Sequence, residues 1–190
     1  MSLTKQAKTL TEAQQRACLG YLATKKQSVR NQLMFLLSFD AALRSKEIAH
    51  LTWEMVTDAE GRVTDEIRLQ DKASKGRSGG VIPMSKRLQD AFAAHAEGRV
   101  LKGRVVKSAR GNDLSSQVVI NFFWLLYREM GYDGASSHSG RRSAITKWAK
   151  KISSVGGSMR DVQSLARHAS LQMTQRYVEV SADACRKVVG

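Results

Sequence analysis

Cysteine is nearly absent. Cys18 and Cys185 lie far apart and form no CxxC pair, so they offer neither a zinc-ligand spacing nor a disulfide framework. A reducing cytoplasm suits such a chain, and a cytoplasmic protein is expected. The four histidines are not arranged as HExxH or in a Cys/His cluster, so no metal site is expected. No glycine-rich loop ending in Gly-Lys and Ser or Thr is present, which argues against nucleotide hydrolysis and leaves no cofactor to expect. Long apolar runs are missing too. The longest, residues 118–127, is interrupted by Asn121 and is about half the ~20 residues that a membrane span needs. The opening MSLTKQAKTLTEAQQR has no apolar core, so no secretory segment is expected. Proline occurs once and low-complexity stretches are lacking, while 42% of residues are hydrophobic. That composition can offset the entropy of ordering the backbone, so the chain reads as folded, with residues 1–190 expected to form a single domain.

Acidic side chains are also few: 17 Asp and Glu stand against 31 Lys and Arg, a formal charge of +14. A folded surface with that excess carries a large positive field, whose natural partners are phosphate backbones or anionic membranes. Nucleic acid is the better match of the two, because nothing in the chain spans a bilayer.

The local patterns predict a mainly helical α+β domain with a small antiparallel hairpin. Thr11 to Gln14 reads as a capping box opening a helix to about residue 24, and Ser28 opens a second that carries Leu33, Phe35, Leu36 and Leu37. After a break near Asp40, residues 41–53 continue helical, which puts Arg44 and Glu47 on one face. Residues 66–70 alternate with period two, residues 74–80 are turn-rich, and an extended run resumes at Val81; these form a hairpin with a basic tip. Further helices are expected over residues 85–96, 116–130, 138–151, 158–167 and 171–178, with a short tail from residue 182. Ser115 and Ser158 act as caps, the latter boxed with Asp161.

Taken singly, the polar residues of interest have bland readings. Arg44 could be one solvated charge among many, and Lys75 and Arg77 could be solvated turn residues. His138 and Arg141 are three apart and can serve one ligand from one face, yet such pairs are common. His50 and His95 are left as structural or solvated, and a tyrosine such as Tyr177 in a helical stretch is by default a half-buried core residue with a wet hydroxyl.

Their order and company change this reading. LRSKE, a lysine near a turn ahead of VIP, then HSGRR, then LARHASLQMTQRY together resemble the tyrosine recombinase, or phage integrase, family over residues 35–180. The resemblance implies the helical catalytic core of that family. It assigns six catalytic roles, to Arg44, Lys75, His138, Arg141, His168 and Tyr177, and a supporting role to Glu47. Two positions depart from the pattern: Gly140 stands where the family usually has Leu, and Arg167 where it usually has Gly. The family's usual N-terminal core-binding domain is not seen, so the chain reads as an excised catalytic domain or a compact enzyme.

The implied chemistry suits these residue types. Displacement at a phosphodiester concentrates charge on the non-bridging oxygens, and the planar forks of Arg44 and Arg141 match phosphate geometry where lysine offers only a point charge. A free phenol, with a pKa near 10, is ionised in only about one molecule in a thousand at neutral pH. Tyr177 as nucleophile therefore needs His138 and the arginines beside it. Lys75 would protonate the leaving 5′ oxygen and His168 would bond a non-bridging oxygen. Arg77, Arg142 and Lys147, with Lys150, Lys151 and Arg160, add positive charge for duplex DNA, though each alone could be a solvated face. The expected activity is site-specific cleavage and rejoining of DNA through a 3′-phosphotyrosine, without metal or ATP, in the service of a mobile element. Self-association on DNA is expected, as a tetramer if the C-terminal tail packs on a neighbour. The alternatives are a type IB topoisomerase-like relaxing enzyme and an inactive DNA-binding module of the same fold.

Overall fold

The computed structural model describes residues 6–73, 79–178 and 186. Lys75 and Arg77, the hairpin tip and the tail helix expected from residue 182 fall outside these, apart from the single residue 186. The chain divides into two compact units, Met1–Ala144 and Ile145–Gly190.

In the first unit, α1 (Glu12–Ala23) opens on the expected capping box: Thr11 Oγ1 accepts the Gln14 N–H and Gln14 Oε1 accepts the Thr11 N–H. The next helix, α2 (Ser28–Phe39), starts one residue after Gln27, which adopts a left-handed conformation, so Ser28 is its first residue rather than its cap. Seven consecutive buried positions, 33–39, tie α2 into the core: Leu33, Phe35 and Leu37 are fully buried and Met34, Leu36 and Phe39 nearly so. Each such side chain contributes about 1.5–3 kcal/mol by leaving water, so this helix alone accounts for much of the unit's cohesion.

The expected long helix over residues 41–53 is not formed. The turn after α2 instead passes through Ala42, whose φ is +51°, and only α3 (Ser45–His50) is helical. Arg44 therefore sits at the N-cap of α3 in extended conformation, and not within a helix. The reason is local hydrogen bonding: Leu37 O accepts the Leu43 N–H, which closes a tight reversal that a continuous helix could not make. Past α3 the chain is extended, with a single helical turn at Trp53–Met55.

Strands β1 (Glu66–Leu69) and β2 (Gly80–Pro83) pair antiparallel in the register Ile67↔Ile82. Ile67 and Leu69 face the core while Glu66 and Arg68 face out, the alternation that period two requires. Ser85 caps α4 (Lys86–Ala96), and Ser115 caps α5 (Ser116–Glu129), each through its Oγ. On α5, Val119, Phe123, Leu126 and Tyr127 repeat at helical spacing and are buried.

The unit boundary falls inside α6 (Ser139–Lys151). In the second unit follow one turn at Ile152–Val155, then α7 (Met159–Ala166) and α8 (Leu171–Gln175). The α7 capping box is present as expected, with Asp161 Oδ2 accepting the Ser158 N–H at 2.7 Å. Helix α8 is shorter than the expected residues 171–178 and ends before Tyr177, in a turn that Thr174 O closes by accepting the Tyr177 N–H. Among the described residues no helix is long and apolar enough to cross a membrane.

Candidate active site

In the first unit the reversal at residues 40–44 organises the site. Asp40, at the end of α2, accepts hydrogen bonds from Arg87 Nε at 2.7 Å and from the Ser85 hydroxyl, which fastens the turn to the start of α4. The carbonyl of Ala42, exposed by the turn, accepts a hydrogen bond from Arg141 Nη1 at 2.6 Å. Arg141 is 4% exposed, so its guanidinium is anchored to backbone two residues before Arg44. The reversal thus carries Arg44 and takes a hydrogen bond from the Arg141 side chain of α6.

Arg44 is half-buried and held by Glu47, whose side chain is fully buried. One carboxylate oxygen accepts Arg44 Nη1–H at 2.7 Å and the other accepts the Arg44 backbone N–H at 2.8 Å. This grip sets the backbone and the guanidinium of Arg44 together. A buried ion pair of this kind is costly to break from one side, since the remaining charge is then stranded.

His138 is exposed at the start of α6, where its carbonyl accepts the Arg142 N–H. Arg142 is half-buried and its Nη1 donates to Gln6 Oε1. Ser139 and Ser143, both buried, tie this end of α6 in place: Ser143 Oγ donates to Ser139 O at 2.8 Å and accepts the Leu10 N–H at 2.9 Å. Gly140 has a physical reason. A Cβ there would lie 2.2 Å from Ser38 Oγ and 2.9 Å from Phe39 Cδ2, so α6 crosses α2 too closely for the family's usual leucine.

In the second unit His168 and Tyr177 meet. Their rings stack with centroids 5.4 Å apart and planes 27° from parallel. His168 is buried, with Nδ1 3.0 Å from Thr174 Oγ1, and Thr174 is itself buried. Its backbone is held on both sides by Gln163, whose carbonyl accepts the His168 N–H and whose Nε2 donates to the His168 carbonyl. Tyr177 is partly exposed. Arg167 ends α7 with φ +54° and ψ +47°, a left-handed C-terminal position that glycine fills without strain. The family's usual glycine before this histidine is thereby explained, and this chain places a mostly buried arginine there instead. Lys147, on α6, is exposed. Among the described residues no three His, Cys, Asp or Glu side chains gather as a metal-ligand set.

Sequence reasoning missed three parts of this arrangement: the Ala42 carbonyl, the Asp40 clasp and Thr174. Nothing in the residue pattern marks a positive φ at an alanine, and the Asp40 contacts join residues more than 40 positions apart. Thr174 sits six residues after His168, and a hydroxyl near a histidine in a helical stretch could have suggested it.

A mainly helical fold with one antiparallel hairpin, an arginine of α6 hydrogen-bonded to the turn that leads into Arg44, and a histidine stacked on a tyrosine define the class to which the comparisons point. The family described as the phage integrase family matches residues 8–183, and the chain belongs to it. Among relatives, the tyrosine recombinase XerC of Bifidobacterium longum subsp. infantis is 28% identical over 178 residues, covering 86% of this chain and 47% of the relative. The tyrosine recombinase XerA of Pyrococcus horikoshii is 24% identical over 185 residues, covering 96% and 60%. The chain therefore spans about half the length of these relatives. Of solved structures, the Tn1549 transposon integrase in complex with a circular intermediate DNA superposes with a TM-score of 0.76 at 17% identity, covering 98% of this chain and 66% of that one. A XerA recombinase superposes at 0.73 with 16% identity, covering 99% and 64%. At these identities the superpositions establish the shared fold.

Proposed function

We propose that this chain cuts and rejoins duplex DNA at a specific site, with Tyr177 as covalent nucleophile. The observation that carries the reading is the anchoring of Arg141, from α6, on the Ala42 carbonyl, which holds its guanidinium against the reversal that leads into Arg44. In this reading Arg44 and Arg141 neutralise the non-bridging oxygens as the phosphorane forms, and fixed charges need no reorganisation at that moment. Glu47 keeps the fork of Arg44 in its orientation. Tyr177 Oη attacks phosphorus, its proton passing to His138 or to solvent, and the 5′ oxygen leaves with a proton delivered by Lys75. His168, stacked on the Tyr177 ring, donates to a non-bridging oxygen. The resulting 3′-phosphotyrosine keeps the ester bond energy, so a 5′ hydroxyl reverses the step without ATP or metal. The relatives' names, tyrosine recombinase, and the DNA in the solved integrase complex support the assignment of duplex DNA as substrate. Self-association on DNA finds support in the solved lambda integrase dimer bound to a core site.

A duplex nicked just beyond the scissile phosphate lets the cleaved end diffuse away and traps the adduct. With it, the chain is expected to form a covalent complex that Tyr177→Phe abolishes while DNA affinity stays within about twofold, since only one hydroxyl is lost. Adduct formation by that variant would remove Tyr177 from its role. Failure of the unaltered chain to form any adduct would favour the inactive DNA-binding reading, and relaxation of a single supercoiled circle without exchange would favour the topoisomerase-like one. Undiminished cleavage in a chelator is expected; strict dependence on a divalent ion would contradict the mechanism.

A further inference from the structure

A cavity of about 380 Å³ opens in the first unit between the Trp53 turn, the end of α4 and residues 99–111. None of the residues that line it takes part in the chemistry above. Its wall is fixed by backbone: Trp53 N–H donates to Gly103 O, Val105 N–H to Leu51 O and Ser108 N–H to Asn112 O. Arg99, Lys102, Arg104 and Lys107 line it. Among the described residues, the one carboxylate within ion-pair distance of any of these is Asp113, 3.8 Å from Arg104. Arg30 adds a further positive charge, with Nη1 donating to Lys107 O at 3.1 Å.

Exposed cations alone would mark only a solvated surface, but His95 is a second and different observation. It is 3% exposed, lines the same cavity and stacks on Trp53 at 5.9 Å. Its Nε2–H donates to Val105 O at 2.9 Å, which leaves Nδ1 buried with no partner among the described residues. A buried polar atom left unsatisfied costs free energy comparable to a lost hydrogen bond, so a site that keeps one is expected to fill it. The partner must suit both an imidazole nitrogen and a ring of cations. A phosphate group does: one proton lies between Nδ1 and a phosphate oxygen, either carried in on a phosphate hydroxyl or taken up by the imidazole from solvent. The lysines and arginines then neutralise the remaining charge.

We propose that this cavity is a binding site for a phosphate group, formed by His95, Arg99, Lys102, Arg104 and Lys107. The group comes either from a DNA backbone or from a free phosphate compound. The test is a titration of the ¹⁵N-labelled full chain with inorganic phosphate, followed by amide shifts and by the His95 ring nitrogens. Saturable shifts are expected at residue 95 and over residues 103–111, with a perturbed Nδ1 resonance. The exposed pair Arg99→Ala and Lys102→Ala, which leaves the core untouched, is expected to weaken them by at least about tenfold, the loss of one to two charge-assisted hydrogen bonds. His95→Gln is expected to abolish the slow, saturable component, and if that variant does not fold the surface pair decides. Shifts that grow linearly and scatter over the basic surface, an adventitious ion only, or saturable shifts confined to Arg44 and Arg141 would overturn the proposal. A short duplex that displaces the phosphate signals would identify a DNA backbone as the source; a duplex that leaves them unchanged would identify a free phosphate compound. Because this readout needs no Tyr177 adduct, it stands or falls apart from the strand-transfer reading.

Discussion

Arg141 shows how much a single side chain contributes here through geometry. Its guanidinium, reaching from α6, donates to the Ala42 carbonyl two residues before Arg44. Replacing it by lysine keeps the charge and loses the fork, so the rate of adduct formation on a nicked duplex is expected to fall by about 10²- to 10³-fold. Arg141→Ala is expected to do at least as much damage. Glu47 tests the complementary point. Glu47→Gln removes the charge that orients Arg44 but keeps an acceptor for its backbone N–H. We expect a slower cleavage rate at nearly unchanged DNA affinity, together with a loss of stability of about 3 kcal/mol from the stranded arginine. Equal cleavage rates for the variant and the parent would show that Arg44 holds its orientation without Glu47. The roles proposed for these residues rest on their type and order, because guanidinium, carboxylate and phenol chemistry is a property of the side chain. Lys75 and Arg77 remain expectations, since the structure does not describe them.

Elements add constraints of their own. Helix α6 crosses α2 at Gly140, where any Cβ would meet Ser38 Oγ. Gly140→Ala is therefore expected to lower stability by about 1–3 kcal/mol through overpacking, despite alanine's better helix propensity, and a urea midpoint reads this directly. A midpoint that rises would mean the crossing relaxes freely. Helix α4 carries a second test. Burial, aided by the charges of Arg99 and Arg30, holds the His95 imidazole below its ordinary value of 6.5. The unfolded chain then binds a proton that the folded chain refuses, so folding loses stability as pH falls below about 6.5. Urea midpoints measured down to pH ~5 are expected to show that slope, and His95→Gln to flatten it. The helices themselves were largely readable, through the Thr11, Ser115 and Ser158 caps and the stripe on α5. The exceptions were residues 41–53, where helical propensity gave way to a reversal held by the Leu37 carbonyl and the Asp40 clasp, and the end of the helix expected over residues 171–178, which stops at Gln175.

At the scale of the whole molecule the excess of 14 positive charges governs association. Affinity for duplex DNA is expected to fall linearly on a log–log plot against salt. Arg142→Gln and Lys147→Gln are each expected to reduce the slope by about 1 if their side chains neutralise one phosphate apiece. An unchanged slope would place those residues off the duplex. The residue types, their order along the chain and the amphipathic periods were enough to determine the helical class, the hairpin and the family, since each depends on local chemistry or on the order of side chains. Only tertiary structure decided that an alanine carbonyl would anchor Arg141, that a glycine would mark a helix crossing, and that His95 would be buried beside a basic cavity. Those outcomes depend on which distant segments are forced together when apolar faces leave water, and a linear pattern of side chains carries no record of that choice.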